Sequence, residues 1–570
     1  MTGSPAAHDI SIVLAGEAGQ GIQTIEQLLT RILKLAGFHI HATKEYMSRV
    51  RGGTNSTSIR VSTRPVQAPL RRIDLLVPLD DKVIPHLQYR LTEETIIAGD
   101  REVVGDIPRL RHVQLMQPAR EIGNEMYANT MALGLILGLL AVDAGVMEQD
   151  LGSRFAGKGE EVVANNIRAA RLGHDRGREL REEGEIRFPE IVRHDNAKEI
   201  MVNGTEAIAM GAIAGGCQCI TSYPMTPGTG VITFMAQHQH DFGLLVEQAE
   251  DEIAAINMAL GAWYAGARAM VTTSGGGFAL MTEGVSLAGM LEMPVVIHLA
   301  QRPGPATGLP TRTEQGDLDL ALYAGHGEFP RIILAPASLQ GAFALSRQAF
   351  DLADQYQVPV FILTDQYLVD TYYNTAPFTL EPRQTSRFTV ETSEDYRRHR
   401  FTPDNISPRG IPGRGQGLVG VDSDEHDEEG HITEDLELRV KMVDKRLGKL
   451  ARIKEALPAA SLEGPEHCRW LVVSWGSTCP IVREAVAQLG RDDVGQLAIQ
   501  QVYPLPAELQ RYLAAAEQTI MVESNATSQL GRLILRETGH RFHQAILKYN
   551  GLSFTVEELV EKLQQIISAS

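Results

Sequence analysis

Between Asp195 and Thr375 five short apolar runs, CITSYP, AMVTTS, PVVIHLA, RIILAP and VPVFILTD, alternate with helical patterns. Runs this apolar need cover on both faces. Strands joined through helices return to the same edge in the same direction, so they form a parallel sheet. This alternation constrains the chain more than any other feature. Ligands on such a sheet bind at the carboxyl ends of the strands, where the loops gather.

The flanking regions read as further α/β units. From Ile10 to about Pro189, DISIVLAG is a strand and GIQTIEQLLTRILKLAG a helix closed by Gly37. STSIRVS and RIDLLVPL are strands, and residues 129–145 form a buried helix. RAARLGHDRGRELREEGEIR is charged throughout and predicts an exposed helix leading out of the domain. Residues 376–465 are turn-rich and acidic. VDSDEHDEEGHITED lacks the spacing of an EF-hand loop and reads as a solvated linker before a basic helix. From Arg469 onward, RWLVVSWGST, CPIVREAVAQLG, TIMVESN and SQLGRLILRET again alternate strand and helix. The expected division is 1–190, 195–375, 376–465 and 466–570, with an α/β fold in all but the linker.

Composition narrows the function. A formal net charge of -18 disfavours nucleic acid and anionic membrane as partners, while leaving room for a local basic pocket. Four cysteines with no C-x-x-C pair do not make a zinc or cubane iron–sulfur site, so no metal is expected on this chain. They read as small buried hydrophobes. The longest apolar run, MALGLILGLLAV, is too short to span a bilayer, and the first residues lack a signal-peptide pattern. A soluble, cytoplasmic protein is expected.

The most informative segment is EDEIAAINMALGAWYAG. Glu252 stands at a helix start, with Ala255, Ala259 and Gly261 read as small residues on one face beneath it. A carboxyl so placed can meet a flat ring closely. A protonated Glu facing N1′ of an aminopyrimidine favours the imino tautomer that activates thiazolium C2. A capping Glu on a packing helix has the same pattern. TSYPMTPGTG ends a strand in a Pro-rich turn before a helix, which puts Thr226 and nearby N–H groups where an anion is welcome. TTSGGG breaks a strand with three glycines, a sign of close backbone approach or positive φ. QRPGPATGLPTRTEQGDL is a long loop whose Arg302 and Arg312 suit carboxylate recognition, although loop arginines are also ordinary surface residues.

Together SYPMTPGTG, AEDEIAAINMALGA, TTSGGGFALMTEGVSLAGM, QRPGPATGLPTRTEQGDL and HGEFPRIILAP closely resemble the alpha subunit of 2-oxoacid:ferredoxin oxidoreductases. WGST and MVESNATSQLGRL extend the resemblance to the C-terminus, and GEAGQG with SRVRGGTNSTSIRVS resembles that family's gamma domain, fused ahead. The resemblance implies a gamma-type domain, a pyrimidine-binding thiamine diphosphate domain with a parallel sheet, and a transketolase C-terminal-like domain. It implies oxidative decarboxylation of a 2-oxoacid to an acyl-CoA, reversible as reductive carboxylation, with ferredoxin as the electron carrier.

Carried over by position, Glu252 is catalytic, Thr226, Arg312 and Arg302 bind substrate, and Tyr223, Pro224, Ser274 and Gly275 join Glu252 against the cofactor. Gly228 stands where the family commonly carries a Ser or Thr. The G-D-G…N motif that holds the diphosphate is absent from the sequence. The resemblance therefore implies a beta subunit that supplies that motif, Mg²⁺ and a [4Fe-4S] cluster, in a dimer of alpha–beta pairs. Thiamine diphosphate is shared between subunits. The fused architecture looks most like the 2-oxoglutarate type, with pyruvate or a branched-chain 2-oxoacid, or a non-catalytic partner role, as alternatives. GEAGQG is not the G-x-G-x-x-G of a dinucleotide site. In the family it lies near coenzyme A, so Gly16, Gly19, Gln20 and Gly21, with Arg49, Arg51 and Gly52, are placed on the coenzyme A side; a plain tight turn is the other reading.

Overall fold

A computed structural model describes residues 9–17, 22–47, 53–186, 188, 193–380, 387–457 and 460–569. Contacts divide the chain into two units, Met1–Val202 with Asp370–Pro377 and Thr555–Glu558, and the remainder from Asn203.

The first unit is built on an eight-stranded sheet. Its order is Leu110–His112, Ile96–Gly99, Leu75–Pro78, Asp9–Glu17, Thr54–Ser62, His39–Glu45, Tyr372–Thr375 and Ile200–Asn203. Asp9–Glu17 runs parallel to Leu75–Pro78 and antiparallel to Thr54–Ser62. The last two strands come from outside 1–190. Tyr372–Thr375 adds antiparallel to His39–Glu45, and Asn374 ties it down: its Oδ1 accepts from the Ile40 N–H at 2.7 Å. Hydrophobic alternation marks a strand but not the sheet that takes it, so this return is invisible in the sequence.

Two helical expectations change. The apolar helix spans Tyr127–Leu139, with every residue from Ala128 on buried. It stops short of 145 because Asp143 caps a new helix, Ala144–Phe155, accepting from the Gly145 N–H. The charged segment is not an exposed exit. It forms helix Glu160–Glu182, which buries Ala169, Ala170, Gly173, His174, Gly177 and Leu180. Four glycines explain the pairing. A methyl on Gly134 or Gly138 would run into the Ala170 or His174 carbonyl, and one on Gly173 or Gly177 into the Met131 or Leu135 carbonyl. The two backbones are in contact, and the charged residues lie on the far side of the helix.

In the second unit a seven-stranded sheet orders Gln501–Tyr503, Ile332–Leu334, Pro359–Asp365, Val295–Gln301, Ala269–Thr273, Cys219–Ser222 and Leu245–Gln248. All neighbours are parallel except the first pair. A five-stranded sheet follows in the order Ser461–Glu463, Val494–Ile499, Trp470–Trp475, Gln518–Glu523 and Gln544–Leu547, antiparallel only at Ser461–Glu463. The chain leaving Val494–Ile499 supplies the edge strand Gln501–Tyr503, so one stretch of backbone ties the two sheets together.

The acidic linker is less solvated than its composition implies. Glu425 accepts from Arg446 at 2.9 Å and also pairs with Arg439, both on helix Leu436–Ala456. That helix buries Lys445 and Lys449, and Glu292 neutralises both, Lys449 Nζ at 2.5 Å. Two of the helix's basic residues are thus its anchors.

The glycine pairing makes a matched prediction. Gly173→Ala should destabilise the protein by about 1–3 kcal/mol through overpacking. Gly152→Ala, where an added methyl meets nothing, should be neutral or stabilising by roughly 0.5–1 kcal/mol on helix propensity. Thermal melts of the two variants check this; equal shifts would refute backbone contact between the helices.

Candidate active site

Helix Glu252–Tyr264 is capped by Asp251, whose side chain accepts from the Ala254 N–H at 2.8 Å. Glu252 is its first residue. Ala255, Ile256, Ala259, Leu260 and Trp263 form the buried stripe, and Thr221 fastens it by donating to the Ala255 carbonyl at 2.7 Å. Gly261 does not join that stripe. Nine positions beyond Glu252, at 100° per residue, it lies on the opposite, exposed side, with open space around it.

Glu252 is 3% exposed, and its Oε1 has no hydrogen-bond partner. It points at the glycine turn that follows strand Ala269–Thr273. A methyl built on Gly277 would lie 2.5 Å from Glu252 Oε1 and would also collide with Thr273 Oγ1. On the near side of the turn, a methyl on Gly275 would lie 2.5 Å from both oxygens of Asp317. None of the three glycines has positive φ. Close approach, not backbone conformation, is why Gly275 and Gly277 are glycines, whereas a methyl on Gly276 would meet only ordinary contacts. Ser274, fully buried just before the turn, has an unpartnered Oγ. A buried carboxyl, Glu252, and a half-buried one, Asp317, therefore flank one glycine turn, each with an oxygen free of partners, since Asp317 Oδ2 is also unpaired.

Arg302 leaves strand Val295–Gln301 and donates from Nη1 to the Thr226 carbonyl at 2.6 Å. Burial pulls its pKa down and Asp317 opposes that shift. Burial pushes the Asp317 carboxyl up to about 7, helped by Glu314 and opposed by Arg302. Glu314 is raised by burial as well. Arg302 thus meets Thr226 directly and Asp317 electrostatically. Thr226 is half-buried two residues ahead of Gly228, the cap of helix Thr229–Gln237. The missing hydroxyl at Gly228 has a steric cause: a methyl there would lie 2.9 Å from the Thr273 carbonyl oxygen.

Arg312 is half-buried on the same long loop as Arg302, its Cβ packed beside Gly551. Tyr223 and Pro224 are exposed on the turn after strand Cys219–Ser222. Of the positions on the coenzyme A side, Gly16 lies within strand Asp9–Glu17, opposite Asn55. Gly19, Gln20, Gly21, Arg49, Arg51 and Gly52 lie outside the described residues.

Asp317, Glu314 and Gly277 were not singled out from the sequence. TEQGDL carried a signal for the first two, a pair of acids in a loop of arginines, but not their burial. The pocket's chemistry fits an aminopyrimidine: an unpartnered buried carboxyl, an unpartnered buried hydroxyl, and a turn stripped of side chains between them.

Family models match in two places. Residues 11–176 match the pyruvate ferredoxin/flavodoxin oxidoreductase model, and residues 210–445 the thiamine diphosphate-binding model of pyruvate flavodoxin/ferredoxin oxidoreductase. The chain is 31% identical to a 2-oxoacid:ferredoxin oxidoreductase subunit alpha of Sulfolobus sp, over 98% of this chain and 97% of that one. It is 34% identical to a 2-oxoglutarate synthase subunit KorA of Archaeoglobus fulgidus, over 57% of this chain and 88% of that one. Among solved structures, the 2-oxoglutarate:ferredoxin oxidoreductase from Magnetococcus marinus, with 2-oxoglutarate, coenzyme A and succinyl-CoA bound, superposes with a TM-score of 0.92 at 29% identity, covering 98% of this chain and all of that one. A carboxyl-flanked glycine turn on a parallel sheet, in a chain so matched from end to end, leaves one assignment: the chain belongs to the alpha subunits of the 2-oxoacid:ferredoxin oxidoreductases, with the gamma region fused at its N-terminus.

Proposed function

We propose that this enzyme takes 2-oxoglutarate, with coenzyme A and two oxidised ferredoxins, to succinyl-CoA, CO2, a proton and two reduced ferredoxins, and runs reversibly. The observation that carries the thiamine reading is Glu252: a buried carboxyl with a free oxygen aimed at Gly277, where no side chain fits. Thiamine diphosphate, when bound, supplies the nucleophilic thiazolium carbon and the electron sink for decarboxylation. Glu252 holds a proton at the aminopyrimidine edge, with Ser274 and Gly275 lining the ring. Arg302 and Arg312 receive the substrate's carboxylates, and Thr226 its 2-oxo group. Two loop cations suit a dicarboxylate, and the 2-oxoglutarate enzymes among the relatives support that choice. Pyruvate or a branched-chain 2-oxoacid is the alternative.

A beta subunit is proposed to hold the diphosphate, Mg²⁺ and a [4Fe-4S] cluster, in a dimer of alpha–beta pairs. The helix bearing Glu252 exposes Ile253 and Met258, and Leu280 beyond the glycine turn is exposed too, which supports a covering partner. The cysteines support placing the cluster elsewhere: all four are buried, and burial keeps the Cys479 thiol protonated up to about 11. Cytoplasmic location is part of the same reading; no helix among the described residues is long and apolar enough to cross a membrane. The four-part division retains functional labels: 1–190 for the coenzyme A side, 195–375 for the pyrimidine, 376–465 as linker, and 466–570 as the transketolase-like part.

Two predictions follow from these roles. Glu252→Gln in the assembled enzyme should lower viologen reduction by at least about 100-fold, within the usual range for losing a general acid–base group. Unchanged turnover with 2-oxoglutarate, pyruvate and branched-chain 2-oxoacids would remove the thiamine reading, and activity with pyruvate alone would change the substrate. The second concerns pH. Below about 7 Asp317 is protonated and leaves Arg302 to the substrate; above it, the new anion competes for Arg302 and repels the carboxylate. KM for the 2-oxoacid should therefore rise with pH above about 7 in the parent enzyme and stay flat in Asp317→Asn. Parallel pH profiles of the two would contradict it.

A further inference from the structure

We infer that Gln315 is a positioning residue, through which the C-terminal α/β region sets the loop that carries Arg312 and Asp317. Gln315 is 1% exposed, and its backbone and side chain are both paired with that region. Its N–H donates to the Ser524 carbonyl at 2.7 Å, and its Oε1 accepts from the Ser524 N–H at 2.9 Å. Its Nε2 donates to the Trp475 carbonyl at 2.9 Å, and its own carbonyl accepts from Asn525 Nδ2 at 3.2 Å. A glutamine forming a two-way ladder with a backbone edge is fixed in translation and rotation, because four bonds in different directions leave no soft displacement.

The flanking loop is held in the same manner. Gln529 Nε2 donates to the Gly316 carbonyl at 2.8 Å, and Gln529 Oε1 accepts from the Asp319 N–H at 2.9 Å. The Thr313 N–H donates to the Gly551 carbonyl at 3.1 Å. From Thr313 to Asp319 the loop is thus bonded to Trp475, Ser524, Asn525, Gln529 and Gly551. The receiving edge is itself rigid. Glu523, buried ahead of Ser524, accepts from Trp475 Nε1, Asn525 Nδ2 and the Leu530 and Gly531 N–H groups.

None of these C-terminal residues is assigned a place at the cofactor or the substrate. Their effect on the reaction is exerted through the loop: Arg312 stands three residues before Gln315, and Asp317, against Gly275, two after it. A shift of about 1 Å at a binding group is enough to lose much of its orientation effect.

This inference rests on the proposed substrate role of Arg312, and the test separates the two. In the enzyme assembled with its partner, KM for 2-oxoglutarate, KM for coenzyme A, kcat and melting temperature are measured for Gln315→Ala, Gln529→Ala and Arg312→Ala. Positioning predicts that Gln315→Ala raises the 2-oxoglutarate KM about tenfold or more. Gln529→Ala should act in the same direction, and the coenzyme A KM should stay unchanged in both. Unchanged 2-oxoglutarate KM in Gln529→Ala and Gln315→Ala, or both KM values rising together with a lowered melting temperature, overturns the inference. If Gln315→Ala does not fold, Gln529→Ala decides alone by the same criteria. An unchanged 2-oxoglutarate KM in Arg312→Ala instead removes the substrate role assigned to Arg312.

Discussion

Everything at the site depends on how closely two glycines let two carboxyls approach. Gly275 and Gly277 have no room for a Cβ, because Asp317 and Glu252 already occupy it. The turn brings strand Ala269–Thr273 to the helix bearing Glu252 and to the loop bearing Asp317. An alanine at either glycine would force one carboxyl away, and the buried polar atoms would lose their arrangement. Burial makes that arrangement chemically useful, since it raises Asp317 into the neutral range and leaves Glu252 with an unsatisfied oxygen.

The same economy of space recurs where helices Tyr127–Leu139 and Glu160–Glu182 touch, and there it serves packing alone. Charge is handled in a comparable way at the junction of linker and sheet. Glu292 holds Lys445 and Lys449, and Arg398 donates to the Glu292 and Leu291 carbonyls. Removing one member of such a cluster leaves an uncompensated buried charge, which costs far more than the intact set contributes. The basic helix is therefore held by its cations.

Much of the site was legible in the residues. Glu252 announces a helix start, TTSGGG announces a close approach, and the loop arginines lie where a parallel sheet gathers ligands. The reading failed where periodicity was taken too loosely, as with Gly261, which turns away from Glu252 by half a revolution. It failed again where charge was taken for exposure, because a helix can bury a stripe of Ala and Gly while its other side is fully charged. Gln315 and Asp317 were passed over since polar loop residues carry no local mark of burial.

The sequence by itself determined the alternation of strand and helix, the carboxyl at the head of its helix, and the resemblance that names the family. These are local patterns, set by side-chain period and by the stereochemistry of glycine. Only the tertiary structure decided that Tyr372–Thr375 returns to the first sheet, that Asp317 and Glu252 flank the same glycine turn, and that Gln315 hangs the loop bearing Arg312 and Asp317 on a strand end two hundred residues away. Such contacts join distant stretches through backbone hydrogen bonds and excluded volume, which leave no period in the chain that makes them.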